Sequence, residues 1–228
     1  MTRYSPALAF PSPDTALHPM TPPDDTNHPA HRLPTDTDNG MLLIISGPSG
    51  VGKTTITRAV ERSIPDAVFS VSATTRPKTD ADVEGVDYLF LSIPEFERRA
   101  KAGEFLEHAN YAGNFYGTLR APVEAQMSRG RLMILEIDVQ GAKNVKRELP
   151  AAFAMFILPP SEAALLDRLR SRRREPENVI QRRFNLAREE IAEAKRCGAY
   201  DAFLVNDDLE KTIAEALRLV RQARSVGR

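Results

Sequence analysis

The chain has one cysteine, Cys197, no tryptophan, and no excess of either charge: lysine plus arginine and aspartate plus glutamate number 31 each in 228 residues. A single cysteine excludes an internal disulfide and a cysteine-based zinc site. The even charge balance argues against broad nucleic-acid binding, which shows as a basic excess, while leaving room for a local basic cluster. No apolar run approaches the roughly 18 residues that a membrane-spanning helix needs. Histidine is scarce too, and His18, His28 and His31 all fall in the first forty positions. That stretch also holds eight prolines, five aspartates and only Arg3 and Arg32 as basic groups. No helical or strand period survives there, so residues 1–40 read as a disordered tail, with histidines too loosely spaced to hold a metal. It lacks the apolar core of a secretory signal and the arginines of a transit peptide, so a cytoplasmic location is expected. Met41 stands where the folded part begins. A mature chain lacking the tail is expected; an intact mass that includes residue 1 would refute it.

From Met41 to about residue 224 the pattern is that of one folded unit, and a chain that is 42% apolar overall has enough to build a core. Met41–Ile45, Val68–Val71, Leu132–Ile137, Phe153–Leu158 and Phe203–Val205 read as buried strands separated by helical stretches. That alternation predicts an α/β fold whose parallel sheet is covered on both faces. Ser92-Ile-Pro-Glu95 is a capping box, and Pro122 opens a helix that stops at Gly130. Ser161 precedes another helix. Ile180, Phe184, Ala187, Ile191 and Ala194 form one face of a helix. The last helix is capped by Asp207 or Asp208, with Leu209, Ile213, Leu217 and Val220 expected inward. Residues 73–119 break this rhythm with short strands such as Tyr88–Leu91 and Leu106–Ala109, and read as a small inserted lobe.

Gly47-Pro48-Ser49-Gly50-Val51-Gly52-Lys53-Thr54 matches G-x-x-x-x-G-K-[ST] in full, between a strand and a helix. Glycines let the backbone curl so that several N–H groups converge on one anion, and the helix adds its positive end. Lys53 can reach the β- and γ-phosphates, and the Thr54 hydroxyl can ligate Mg²⁺, partly through water. The motif points to ATP with Mg²⁺ and leaves the acceptor open.

Further motifs stand in order: Ser70-Val-Ser72-Ala-Thr-Thr75-Arg76-Pro77, Gly85-Val-Asp-Tyr88, Glu104-Phe-Leu-Glu107, Gly113-Asn-Phe-Tyr116-Gly-Thr118, Leu135-Glu-Ile-Asp138-Val-Gln-Gly141 and Val205-Asn-Asp-Asp208. Over residues 41 to 222 the chain resembles the guanylate kinases. The resemblance implies a P-loop NTPase-type three-layer α/β/α fold with a GMP-binding lobe and a short lid (168–184). It implies transfer of the γ-phosphoryl group of ATP to GMP or dGMP. Arg76, Tyr88 and Tyr116 match positions that hold the GMP phosphate. Ser72, Glu107 and Thr118 match those around guanine, and Glu136 and Asp138 those facing acceptor and metal. Lys53, Arg168, Arg172 and Arg183 match the groups that grip the transferred phosphate, and Asn206 lies on the adenine side.

The chemistry of Glu107 agrees on its own terms. Guanine offers two adjacent donors, N1–H and N2–H₂, and an ionised carboxylate accepts both, whereas adenine would set a lone pair against it. One departure stands out. Where the family carries a second phosphate arginine, this chain has Thr79, with Lys78 beside it as a point charge only, so weaker GMP binding is expected. Two rival readings are a non-catalytic module of the same shape and a kinase for another phosphorylated acceptor. The intact Gly52-Lys53-Thr54 opposes the first. Glu107, Tyr116 and Thr118 oppose the second.

Overall fold

The computed structural model describes residues 40–111, 113–171 and 176–226. The proline-rich stretch before Gly40 and the lid residue Arg172 lie outside them. In chain order the elements are β1 (Met41–Ser46), α1 (Lys53–Ser63), β2 (Ala67–Phe69), β3 (Ala73–Thr74), β4 (Leu89–Phe90), α2 (Ile93–Lys101), β5 (Phe105–Tyr111) and β6 (Asn114–Leu119). Then come α3 (Arg120–Ser128), β7 (Leu132–Glu136), α4 (Val139–Glu148), β8 (Phe153–Leu158), α5 (Glu162–Ser171), α6 (Glu177–Arg196), β9 (Ala202–Val205) and α7 (Leu209–Val226).

Five strands form a wholly parallel sheet in the order β2-β7-β1-β8-β9. The central strand β1 is buried on both faces from Leu42 to Ile45, which is why its sequence is a continuous apolar run. Ile56 and Val60 of α1 and Ala216 and Val220 of α7 close over one face. Val123 of α3 and Ala142 and Val145 of α4 close over the other. Each of the larger aliphatic side chains contributes on the order of 1.5–3 kcal/mol by leaving water. The result is the expected three-layer α/β/α arrangement. Leu165 and Leu169 of α5 pack on Ile180 and Ala187 of α6. Among the described residues no helix is long and apolar enough to cross a membrane.

Local signals explain the element ends. The Ser92 hydroxyl accepts from Glu95 N at 3.3 Å to start α2, and Asp208 accepts from Lys211 N at 3.0 Å to start α7. Pro122 lies within the first turn of α3, which begins two residues earlier at Arg120; the missing N–H does no harm there. Leu209 departs from the expected inward stripe. It is the first residue of α7, before the helix meets the sheet, and is 37% exposed; Ala216 fills the buried position instead.

A second sheet has the order β4-β3-β6-β5, with β3 parallel to β4 and antiparallel to β6. β5 and β6 pair antiparallel, and their register shifts between Phe105 and Glu107, the mark of a bulge at Leu106. One face of this pair is aromatic: Phe105 and Phe115 stack on Phe96 of α2 at 4.4 and 5.4 Å between centroids. Past the bulge, Glu107, Ala109 and Tyr116 lie on the other face and line a cavity.

Candidate active site

The turn after β1 carries the glycine-rich loop at the carboxyl ends of the parallel strands, where open α/β sheets bind ligands. Gly52 takes φ 97°, and a Cβ there would sit 2.8 Å from the Asn206 amide nitrogen, so the position needs glycine twice over. α1 then starts with no side-chain cap and no acidic residue in its first turn, which leaves its amide dipoles for an anion. Lys53 Nζ donates to Pro48 O at 3.1 Å across the loop. Thr54 Oγ1 donates to Glu136 Oε1 at 2.8 Å, tying the loop to the end of β7. Glu136 Oε2 is buried with no hydrogen-bond partner among the described residues.

On the facing wall, Glu107 is paired in register with Thr118, whose hydroxyl donates to its Oε1 at 2.7 Å. Glu107 is only 8% exposed. Burial pushes its pKa up to about 7, the Thr118 hydrogen bond opposes that rise, and the nearby Asp138 charge adds to it. Asp138 is fixed as the N-cap of α4, accepting from Gly141 N at 2.7 Å. Gly141 lies so close that a Cβ on it would stand 2.8 Å from Glu107 Oε2. The loop and this wall share one cavity of about 310 Å³, lined by Ser49, Lys53, Ser72, Glu107, Tyr116 and Asp138 among others. A larger cavity, about 750 Å³, opens at the opposite strand ends. Its Lys146 and Arg224 are engaged by Asp201 and Asp66, so it presents packing and ion pairs rather than chemistry.

Tyr88 and Tyr116 meet edge to face at 5.9 Å, and the Arg76 guanidinium carbon stands 5.2 Å from the Tyr88 ring centre. Burial raises the Tyr88 pKa, keeping the phenol a donor. Arg76 itself is held by Asp82 at 2.8 and 3.0 Å.

The expected phosphate-gripping arginines divide. Arg183 of α6 donates to Ser49 Oγ on the loop. Arg168 of α5 donates instead to Asn206 O at 2.9 Å, and neither arginine lines the shared cavity itself. Asn206 is buried and its amide donates to Val51 O at 2.8 Å, so it braces the loop from the end of β9. One ionisable cavity residue escaped the sequence reading: Glu190, two helical turns after Arg183 on α6. Burial raises its pKa to about 7, Lys53 opposes that rise and Asp138 adds to it. Its seven-residue spacing from Arg183 was the available signal, since it sets both side chains on one helix face with Ala187.

A parallel sheet with a complete phosphate loop, and a second polar seat opening into the same cavity, define a P-loop kinase. The guanylate kinase family model matches residues 39–223. The guanylate kinase of Thermosynechococcus vestitus is 48% identical over 174 residues, covering 76% of this chain and 90% of that protein. That of Symbiobacterium thermophilum is 46% identical over 189 residues, covering 82% and 88%. The chain belongs to the guanylate kinase family. A solved structure of guanylate kinase from Anaplasma phagocytophilum superposes with a TM-score of 0.67 at 33% identity, covering 82% of this chain and 88% of that one.

Proposed function

We propose that this protein phosphorylates GMP, and dGMP as a further acceptor, with ATP as donor, giving GDP (or dGDP) and ADP in the cytoplasm. The observation that carries the reading is the single cavity joining Lys53 to the Glu107–Thr118 pair. Lys53 and the amides of Gly47–Thr54 would cradle the β- and γ-phosphates, with Asn206 holding the loop in shape. Glu107, ionised, would accept from guanine N1–H and N2–H₂, with Thr118 and Ser72 beside it and Asp138 keeping α4 and Gly141 in place. Arg76, Tyr88 and Tyr116 would take the acceptor phosphate.

Thr54 and Glu136 fit a Mg²⁺ site. They offer hard oxygen donors, and the buried, unpartnered Glu136 Oε2 has the electron pair such an ion needs. When bound there, the ion supplies charge neutralisation at the phosphates. An oxygen of the GMP phosphate attacks the γ-phosphorus in line with the departing ADP oxygen; the dianion needs no general base. Lys53 and Arg183, with Arg168 and Arg172 on lid closure, would offset the charge spread over the equatorial oxygens. A panel of GMP, dGMP, AMP, UMP and sugar phosphates, read by ADP release, tests the assignment. GMP and dGMP should be turned over and the others rejected by about 10⁴-fold. Equal turnover of AMP would overturn the guanine assignment.

A further inference from the structure

Asp82 has no place in the site just described, yet it is the best-bonded carboxylate near it. It sits in the turn Thr79–Asp82, closed by Asp82 N donating to Thr79 O at 3.0 Å. Its Oδ2 accepts from Thr79 N at 2.8 Å and Thr79 Oγ1 at 2.6 Å. The carboxylate is thus anchored by its own turn before it meets Arg76. Arg76 then approaches end-on: Nη1 donates to Oδ2 at 3.0 Å and Nη2 to Oδ1 at 2.8 Å. The second Nη1 hydrogen goes to Pro77 O at 3.0 Å. These three bonds leave Nε–H and the outer Nη2 hydrogen, which lie side by side along one edge of the guanidinium. That edge is a fork matched to two oxygens of a phosphate. The Tyr88 and Phe90 rings, centred 5.2 and 5.4 Å from the guanidinium carbon, flank the group.

Two roles are open to such a carboxylate. It could occupy the place of the acceptor phosphate and compete with it, or it could aim Arg76 at it. Competition would require the phosphate to take the end-on edge and expel an acid that Thr79 holds by two further bonds. Aiming requires nothing to move, because no described residue accepts from the side-on edge. We propose that Asp82, anchored by Thr79, is a positioning residue that fixes Arg76 so that its side-on fork meets the phosphate of the acceptor nucleotide. The proposal rests on the reading of this cavity as a GMP site. It also explains Thr79: where a second arginine was expected, the chain has a hydroxyl that steadies the first.

The test uses the full-length protein, with GMP and guanosine as probes. In Asp82→Asn the amide turns a donor toward Arg76 Nη2, and the bond that aims its side-on fork is lost. KM for GMP should rise roughly tenfold, with kcat changed less than about threefold and KM for ATP unmoved. Guanosine, which has no phosphate, should compete with equal affinity for the Asp82→Asn variant and the unaltered protein. Asp82→Glu, which keeps the carboxylate, should bring KM most of the way back. Thr79→Val, which loses only the hydroxyl, should raise KM by about two- to threefold, and it carries the same test if the Asp82→Asn variant fails to fold. A fall in KM for GMP in Asp82→Asn would show competition and overturn the proposal. Unchanged KM, or guanosine affinity falling in step with GMP, would overturn it as well. Failure of the unaltered protein to phosphorylate GMP would instead sink the reading of the site, and the two failures are separable.

Discussion

Replacing Glu107 by glutamine removes a charge and changes almost nothing else in volume. The consequence follows from the Thr118 bond. The Thr118 hydroxyl donates to Oε1, so the amide oxygen of the variant takes that side and the NH₂ group takes the place of Oε2. One of guanine's two donors, N1–H or N2–H₂, would then face another donor. A hydrogen bond to a charged group is worth about 1.5–3 kcal/mol, and a buried donor left facing a donor costs about 1–3 kcal/mol more. A combined loss of about 3–4 kcal/mol corresponds to a fall of roughly 10²–10³-fold in kcat/KM for GMP. The assay is ADP release at varied GMP with ATP saturating, repeated with AMP. Selectivity for GMP over AMP should shrink by most of that factor. A Glu107→Gln protein within about threefold of the parent for GMP would refute the reasoning, because the buried carboxylate would then not touch the base.

The same carboxylate sets a pH dependence. Burial raises its pKa to about 7, and the guanine donors favour the ionised form, so GMP affinity is full above that value and is lost as pH falls through it. KM for GMP measured between about pH 6 and 9 should climb below about pH 7, and Glu107→Gln should flatten that limb. Gly141→Ala should place a methyl group 2.8 Å from Glu107 Oε2, raising KM for GMP about tenfold. The methyl group would also stand 3.3 Å from Ile137 Cβ, so crowding offsets the helix preference of alanine and the melting temperature should move by only a few degrees; an unchanged KM for GMP would count against this. Arg183→Ala should lower kcat by roughly a hundredfold or more while moving KM for GMP little, as expected of a group acting on the transferred phosphate. The reverse pattern in steady-state kinetics would contradict that role.

The core sheet was legible because burial of the three central strands leaves continuous apolar runs, and the partly exposed edge strands β2 and β9 still carry short apolar runs of their own. The loop was legible because phosphate chemistry fixes spacing at Gly47, Gly52, Lys53 and Thr54. The caps at Ser92 and Asp208 were legible because they act within four residues. What escaped depends on partners distant in sequence. β3 is two residues long and exists only through its pairing with β4 and β6. α4 buries Val139, Ala142 and Val145, too small a set to stand out as a stripe. Arg168 reads as a phosphate ligand by position, and its hydrogen bond to the Asn206 carbonyl, 38 residues away, is a contact the sequence does not show. Glu190 reads as one more charge on a charged helix until α6 is laid against the loop. Asp82 belongs to no motif of its own, and only the guanidinium geometry gives it meaning.

The extra residue in β5 has a consequence for how the base seat is held. Side chains alternate along a regular strand, so Phe105 and Glu107, two places apart, would otherwise share a face. The bulge breaks that parity: Phe105 turns to the ring stack on α2, and Glu107 turns the other way, toward Thr118. Leu106, freed from the ladder, enters the apolar cluster that holds Leu42 and Ile44 of the central strand. The carboxylate that reads the base therefore sits next to a rivet driven into the apolar cluster that also holds the strand leading into the phosphate loop. Donor and acceptor seats share one foundation, and a change in packing beneath Leu106 would be felt at both.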